Sequence, residues 1–253
     1  MPTFNYNTQR NTLFPPVEIR VIKMKFQHDF KVSIPEIGNA YFEILLQPIV
    51  TVKNNAIVAY EVLSSIIQET GECINNESFF EKATELTMYN IIENQIIALN
   101  KCHDIKKTYS INMPLSFLYF NSIIMKLYQS QFNCVIEITS IDCSTSSKFI
   151  RNRINDLKKS GISFWLDDFT NRCDIQNNAL ADIDWDFVKI DKSITQSSNS
   201  LDIELTMEKL RENKIRNVIW EGIENNPDSY ISQLNYSSQD LAQGFFFGLP
   251  KRL

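Results

Sequence analysis

The sequence predicts an α/β protein with a TIM-like (β/α)8 barrel, in which the first strand runs antiparallel to the others. Eight apolar or β-branched runs recur along the chain, helical patterns lie between most of them, and 253 residues is a suitable length for one barrel. Strands that alternate with helices favour parallel pairing through crossover connections. The first two runs are joined only by Thr51-Val-Lys-Asn-Asn-Ala, which is too short for a crossover, so these two strands should pair antiparallel.

The predicted strands are the runs that end in polar residues. They cover residues 44–50, 57–62, 108–112, 134–139, 163–167, 187–191, 217–221 and 244–247. The last of these contains three consecutive phenylalanines, Phe245 to Phe247, which we expect to lie in the barrel core rather than to stack on a ligand base. Helices are predicted at 77–100, where apolar residues recur on one face, and at 146–160, 204–213 and 227–234.

The chain divides into an N-terminal extension, residues 1–39, and a barrel domain, residues 40–253. The extension is mostly polar and aperiodic. An alternating pattern at 17–25 is compatible either with a short strand or with an arm. We expect the extension to be disordered or to pack over the end of the barrel, and a partner-binding segment is the alternative.

Composition excludes several classes of protein. A net charge of −5 provides no general attraction to nucleic acid. No run approaches the roughly 20 apolar residues of a membrane span, and the N-terminus lacks the apolar core of a signal peptide. The five cysteines include no CxxC pair, which fits neither a disulfide framework nor a zinc site. We therefore expect a cytoplasmic protein that binds neither membranes nor nucleic acid.

Most of the strands after the first end in a polar side chain. Because the carboxyl ends of barrel strands meet on one face, these side chains should converge although they are distant in sequence. The set is Glu61, Asn112, Glu137, Asp167 with Asp168, Lys189, Glu221 and, near the last strand, Gln243.

This convergence predicts a metal site, because five buried acids would repel one another without cations. All the donors are oxygens, which favours Mg²⁺ or Mn²⁺ over zinc. Adjacent Asp167 and Asp168 can serve two ions, an arrangement suited to phosphodiester hydrolysis, and Lys189 could orient water or neutralise phosphate charge. Taken singly, the residues have ordinary alternatives: the aspartates as a helix cap, Lys189 as a partner of Asp191, and Glu221 as a helix start.

The order of the motifs also resembles that of EAL-domain cyclic di-GMP phosphodiesterases. The motifs are Gln47-Pro-Ile-Val, Tyr60-Glu-Val-Leu, Ile111-Asn, Glu137-Ile-Thr, Leu166-Asp-Asp-Phe, Val188-Lys-Ile-Asp, Trp220-Glu-Gly-Ile-Glu and Ala242-Gln-Gly-Phe. They cover the chain from about Tyr41 to Pro250, with Val62 in place of the signature alanine. The resemblance implies a barrel that hydrolyses cyclic di-GMP to linear pGpG with two ions, Mg²⁺ or Mn²⁺.

The resemblance also implies roles for individual residues. The implied metal ligands are Glu61, Asn112, Glu137, Asp167, Asp168 and Glu221. The implied catalytic residues are Lys189, which would contact the catalytic water, together with Glu221, Glu224 and Gln243. The implied substrate-binding residues are Gln47, Glu61 and Leu63.

Three departures from the family pattern leave a second function open. The family's Gly-Thr-Gly loop, which couples dimerisation to the metal site, reads Thr170-Asn171-Arg172-Cys173 here, and the glutamate that braces it is Ser140. The arginine that contacts phosphate in many members is Ser65. The alternative is therefore a weakly active or inactive regulator that binds cyclic di-GMP or a protein partner. EAL domains commonly form homodimers near this loop.

Overall fold

The barrel wall consists of eight strands that close on themselves. The computed structural model describes residues 30–34, 38–101, 106–141, 147–225 and 239–253. Within these ranges the strands are β1 Phe30–Ile34, β2 Gly38–Thr51, β3 Ile57–Gln68, β4 Cys73–Ile74, β5 Thr108–Met113, β6 Asn133–Ile138, β7 Ser163–Phe169, β8 Phe187–Ile190, β9 Val218–Trp220, β10 Leu241–Gln243 and β11 Lys251–Arg252. The wall runs β2-β10-β9-β8-β7-β6-β5-β3, and pairing of β3 with β2 closes it. The predicted barrel is confirmed.

The antiparallel start of the barrel is also confirmed. β2 pairs antiparallel with both of its neighbours in the wall, β3 and β10, whereas the pairs from β3 round to β10 are parallel. The turn between β2 and β3 places Asn55 at a φ of 56°, a left-handed conformation that asparagine tolerates better than most residues.

β1 lies within the segment predicted as an N-terminal extension. It pairs antiparallel with Gly38–Phe42 of β2, and β4 pairs with the far end of β3. These short strands continue the sheet beyond the barrel mouth. Phe42 stacks on Phe30 and meets the edge of Phe79, so a small second core lies beside the mouth. The alternating pattern at 17–25 lies outside the described residues.

Helices cover the outside of the wall. They are α1 Asn76–Phe80, α2 Glu85–Lys101, α3 Asn121–Tyr128, α4 Lys148–Lys159, α5 Asp174–Asp182, α6 Lys192–Thr195 and α7 Ser200–Glu212, with a 3₁₀ helix at Leu115–Tyr119. The predictions at 146–160 and 204–213 correspond to α4 and α7. The prediction at 227–234 lies outside the described residues. Among the described residues, no helix has both the length and the apolar character that crossing a membrane requires.

Two predicted elements are wrong. The helix at 77–100 is interrupted, because the Thr84 hydroxyl accepts a hydrogen bond from the Thr87 amide and starts α2 afresh. The apolar pattern hid this break because Phe80 and Ala83 also face the core. The predicted strand at 244–247 is a turn, and the last wall strand is β10, directly before it.

The phenylalanine run after β10 lies outside the barrel core, so the prediction that it belongs to the core is wrong. Phe245 is 57% exposed and Phe246 is 44% exposed. Phe247 is partly buried and meets the edge of Phe246. A turn fixes this arrangement, since the Phe246 amide donates to the carbonyl of Ile223 and the Phe247 amide donates to that of Gly244.

Candidate active site

The candidate site is the upper layer of side chains inside the barrel. Alternate residues of a strand face the same side of a sheet. An inner apolar layer is formed by Ile49, Ala59, Val135, Trp165, Ile219 and Leu241, with Phe187 against it. The residues two positions nearer the mouth are therefore Gln47, Glu61, Glu137, Asp167, Lys189, Glu221 and Gln243, and Asn112 occupies the same level of β5. Seven strands and the loop after β9 thus bring the predicted polar set together.

Lys189 lies at the centre of this layer and is only 1% exposed. Its ammonium donates to Glu137 Oε2 at 2.8 Å. It also lies 2.8 Å from Asp167 Oδ1, 2.9 Å from Glu221 Oε1 and 3.5 Å from Glu61 Oε2. One cation therefore faces four carboxylates. The ordinary alternative from the sequence, a salt bridge between Lys189 and Asp191, is not the arrangement that the structure has.

Glu61 is held by two amide side chains. Asn112 Nδ2 donates to Glu61 Oε1 at 2.8 Å, and Gln243 Nε2 donates to Glu61 Oε2 at 2.5 Å. Since each amide nitrogen is directed at a carboxylate, each amide oxygen faces elsewhere. Asn112 Oδ1 and Gln243 Oε1 are buried without a hydrogen-bond partner, and so is Glu137 Oε1.

Asp167 and Asp168 both reach the site because β7 is irregular there. In a regular strand, consecutive side chains point to opposite faces. The pairing of β7 with β8 slips between Leu166 and Phe169, and Asp168 adopts a φ of 49°. Aspartate is one of the few residues that visit this left-handed region. As a result, carboxylate oxygens of Asp167, Asp168 and Glu221 lie within 4.8 Å of one another.

The electrostatics of this layer reflect a shortage of positive charge. Burial raises the pKa of Glu137 to about 8 and that of Asp167 to about 6, against the opposing effect of Lys189. Burial also raises the pKa of Glu221 well above its ordinary value. For Glu61, burial acts in the same direction, but Lys189 and the two amides outweigh it and lower the pKa. Burial of Lys189 lowers its pKa, but the surrounding carboxylates outweigh this effect and raise the pKa above its ordinary value.

The donor set fits hard divalent cations. Five carboxylates, those of Glu61, Glu137, Asp167, Asp168 and Glu221, surround one ammonium, which leaves four negative charges when all are ionised. Two divalent cations carry the same charge with opposite sign. Mg²⁺ and Mn²⁺ prefer amide and carboxylate oxygens as ligands, and several such oxygens are buried here without a hydrogen-bond partner. Burying an oxygen without a partner costs free energy, and a bound cation would offset that cost.

Two clefts open beside this layer. The main cleft, about 370 Å³, is lined by Gln47, Glu61, Leu63, Glu221, Glu224 and Gln243 among others. The side cleft, about 280 Å³, lies between β3 and helices α1 and α2. Leu63 and Asp168 line both clefts. Every predicted site residue therefore lies in the buried layer or lines a cleft.

Lys192 and Phe245 are among the residues of the main cleft that sequence reasoning did not assign to the site. Lys192 lines the cleft because Gly222 lets α6 approach: a Cβ on Gly222 would lie 2.5 Å from the Cβ of Lys192. Phe245 lines it with an exposed ring. Exposure on a turn leaves no periodic signal, although the glycine before Phe245 marks the turn.

The loop after β7 is ordered by side chains of α5. Gln176 Oε1 accepts from the Thr170 amide, and Gln176 Nε2 donates to the Asp168 carbonyl, both at 3.1 Å. Asn177 Nδ2 donates to the Asn171 carbonyl at 3.1 Å. The divergent loop is therefore tied to α5 at Thr170 and Asn171.

Comparison with known proteins places this site in a family. The model of the EAL domain matches residues 34–250 of the chain. The chain belongs to the EAL domain family. Among curated proteins, it is 22% identical over 268 aligned residues to "Cyclic di-GMP phosphodiesterase PdeA" of Borreliella burgdorferi. That alignment covers 97% of the chain and 39% of PdeA, so the EAL chain spans well under half of this relative.

Solved EAL structures share the fold. A standalone EAL protein from Vibrio cholerae, bound to cyclic di-GMP, has a TM-score of 0.64 at 21% identity, over 83% of this chain and 92% of that one. Klebsiella pneumoniae BlrP1, in a complex with manganese and cyclic di-GMP at pH 9.0, has a TM-score of 0.66 at 20% identity, over 88% and 59%. A Listeria monocytogenes EAL domain protein has a TM-score of 0.65 at 18% identity, over 83% and 88%.

Proposed function

We propose that this EAL domain hydrolyses one phosphodiester bond of cyclic di-GMP to give linear pGpG, with two divalent cations, Mg²⁺ or Mn²⁺. The observation that carries the proposal is the buried layer in which four carboxylates share one lysine, with Asp168 beside them, and in which oxygens are left without partners. Membership of the family supports the substrate class, since PdeA is named for this activity and several solved EAL structures are complexes with cyclic di-GMP.

We assign the cations to the oxygen donors of the buried layer. The proposed ligands are Glu61, Asn112, Glu137, Asp167, Asp168 and Glu221. When bound, the two ions would supply Lewis acidity and lower the pKa of a coordinated water. Asp167 and Asp168 lie close enough to Glu221 to share an ion with it.

Lys189 and the amides would orient the reacting groups. The Lys189 ammonium offers only donors, so we assign it to a water or to a phosphate oxygen on which charge develops. Gln243 holds Glu61 in place through its amide nitrogen. Glu224 lines the main cleft, where its carboxylate can accept a hydrogen bond from a water.

The two clefts suit a ligand with two bases. Cyclic di-GMP carries two guanines on a ring of two phosphodiesters, and the clefts lie on either side of Leu63 and Asp168. We place one guanine in the main cleft, where the exposed ring of Phe245 offers a face for stacking. Gln47 and Leu63 would complete its contacts. Lys192 supplies the positive charge that Ser65 does not.

The first experiment measures turnover. Purified protein is incubated with cyclic di-GMP and Mg²⁺ or Mn²⁺, and pGpG is followed by chromatography. Asp167→Asn and Glu61→Ala should abolish product, because each removes a proposed ligand. Glu204→Gln is the control, since Glu204 is exposed on α7 and lines neither cleft, and it should keep activity.

The outcomes separate the two candidate functions. Metal-dependent product that is lost in both ligand variants supports the enzyme. Binding of cyclic di-GMP without product would instead assign a receptor, the function that the divergent loop and Ser140 favour. If the protein neither binds nor hydrolyses cyclic di-GMP, this nucleotide is excluded as its ligand.

A further inference from the structure

We infer that Gln176 is a positioning residue for Asp168, and that its side chain does in this chain what the family's loop and its bracing glutamate do elsewhere. The inference rests on the proposed function, in which Asp168 binds a cation. Its basis is the pair of hydrogen bonds between one side-chain amide and the backbone on either side of Phe169, at the Asp168 carbonyl and at the Thr170 amide.

The orientation of this side chain is determined by its partners. A backbone carbonyl can only accept and a backbone amide can only donate, so the Gln176 nitrogen must face Asp168 and its oxygen must face Thr170. The Asp168 carbonyl lies in the stretch where β7 loses its register with β8, and Thr170 directly follows the last residue of β7. A primary amide, which has one donor side and one acceptor side, replaces the ladder bonds that a neighbouring strand would have made.

Asp168 needs this support more than Asp167 does. Asp167 is buried and lies 2.8 Å from Lys189. Asp168 is exposed, and its carboxylate reaches the site only because its backbone adopts a left-handed conformation. The conformation of this one residue therefore decides where a proposed ligand lies. Gln176 holds the backbone carbonyl of Asp168.

Other contacts of the loop leave Asp168 untouched. Asn177 holds the carbonyl of Asn171, and Arg172 pairs with Asp202 at 2.9 Å. Ser140, at the position of the family's brace, accepts from the Leu115 amide through its carbonyl. Within the described ranges, its hydroxyl makes no hydrogen bond to residues 170–173.

The test measures metal affinity apart from activity. Mn²⁺ is titrated into metal-free protein by calorimetry for the wild type, Gln176→Met and Gln176→Ala, and the Tm of each protein is measured without metal. Methionine keeps much of the volume of this half-buried side chain but cannot bond either backbone group. Asn177→Ala is the matched control, because it removes a loop contact one residue away.

We expect both Gln176 variants to bind Mn²⁺ about 10- to 100-fold more weakly, the usual effect of losing a residue that orients a ligand, and Asn177→Ala to stay within about twofold of wild type. Affinity within about twofold of wild type in either folded Gln176 variant would overturn the inference. An equal loss in Asn177→Ala would also overturn it, since the loop as a whole would then be responsible. A wild type that binds no Mn²⁺ is a different result, which defeats the proposed function itself.

Discussion

Replacing Lys189 by methionine should destabilise the metal-free protein more than any surface charge change. Lys189 is 1% exposed, and its ammonium lies within 3.5 Å of carboxylates from four residues. Methionine fills similar space without the charge. The variant then buries several carboxylates with no cation among them.

The expected cost can be bounded in two ways. Removing one partner of a buried ion pair typically costs about 3–5 kcal/mol. Alternatively, a glutamate that Lys189 keeps ionised, such as Glu61, can lose its charge by taking up a proton. From the ordinary pKa of 4.5, this costs roughly 3.4 kcal/mol at pH 7 at about 1.4 kcal/mol for each pH unit. Both routes indicate a loss of about 3–5 kcal/mol, or roughly 6–20 °C in Tm for a chain of this size.

The assay is chemical denaturation in EDTA at pH 7, with thermal melting as a second probe. Lys158→Met is the matched control, because Lys158 also pairs with two carboxylates, Asp184 at 2.9 Å and Asp186 at 3.0 Å, but nearer the surface. It should cost no more than about 1 kcal/mol. The deficit of Lys189→Met should shrink at pH 5, where protonation is cheaper. A variant within about 1 kcal/mol of wild type would refute the view that Lys189 neutralises this layer.

Three further predictions follow from the same geometry. In EDTA, the raised pKa values of Asp167 (about 6) and Glu137 (about 8) mean that the folded protein holds more protons than the unfolded chain between about pH 4 and 8. The Tm should therefore fall as pH rises through that window, and saturating Mn²⁺ should reverse the trend because cations compete with protons; a Tm that rises in EDTA contradicts this. Phe245→Ala should raise KM for cyclic di-GMP roughly 5- to 150-fold, the equivalent of about 1–3 kcal/mol of base stacking, and Phe246→Ala, on the same turn but outside the cleft lining, should not; equal effects in steady-state kinetics would disprove the stacking role. Gly244→Ala should cost about 1–3 kcal/mol in denaturation experiments, since a Cβ there would lie 2.2 Å from the Ile223 carbonyl oxygen, and a variant as stable as wild type would be evidence against the close contact.

Much of the fold could be predicted from local sequence because wall strands carry a local signal. A buried strand is a short apolar run with a polar end, and five of the eight wall strands, β5 to β9, were placed to within two residues at each end. β2 begins six residues before its predicted start, and β3 ends six residues after its predicted end. The last wall strand was misplaced because the three residues of β10 directly precede a longer aromatic run. The longer run gives the stronger strand signal, so the strand was predicted there. β1 and β4 were missed because they are short edge strands, and runs of five and two residues are too short to show a clear alternating pattern.

The identities of the candidate site residues were likewise determined by the sequence. The period of two along each strand brings Glu137, Asp167, Lys189 and their neighbours to one level of the barrel, independently of the conformation of the loops. Only the tertiary structure decided how they are arranged. The central place of Lys189, the left-handed turn at Asp168 and the reach of Gln176 depend on register and helix placement across different segments. Exposure of Phe245 was decided in the same way, since a turn anchored on Ile223 carries that ring into the main cleft.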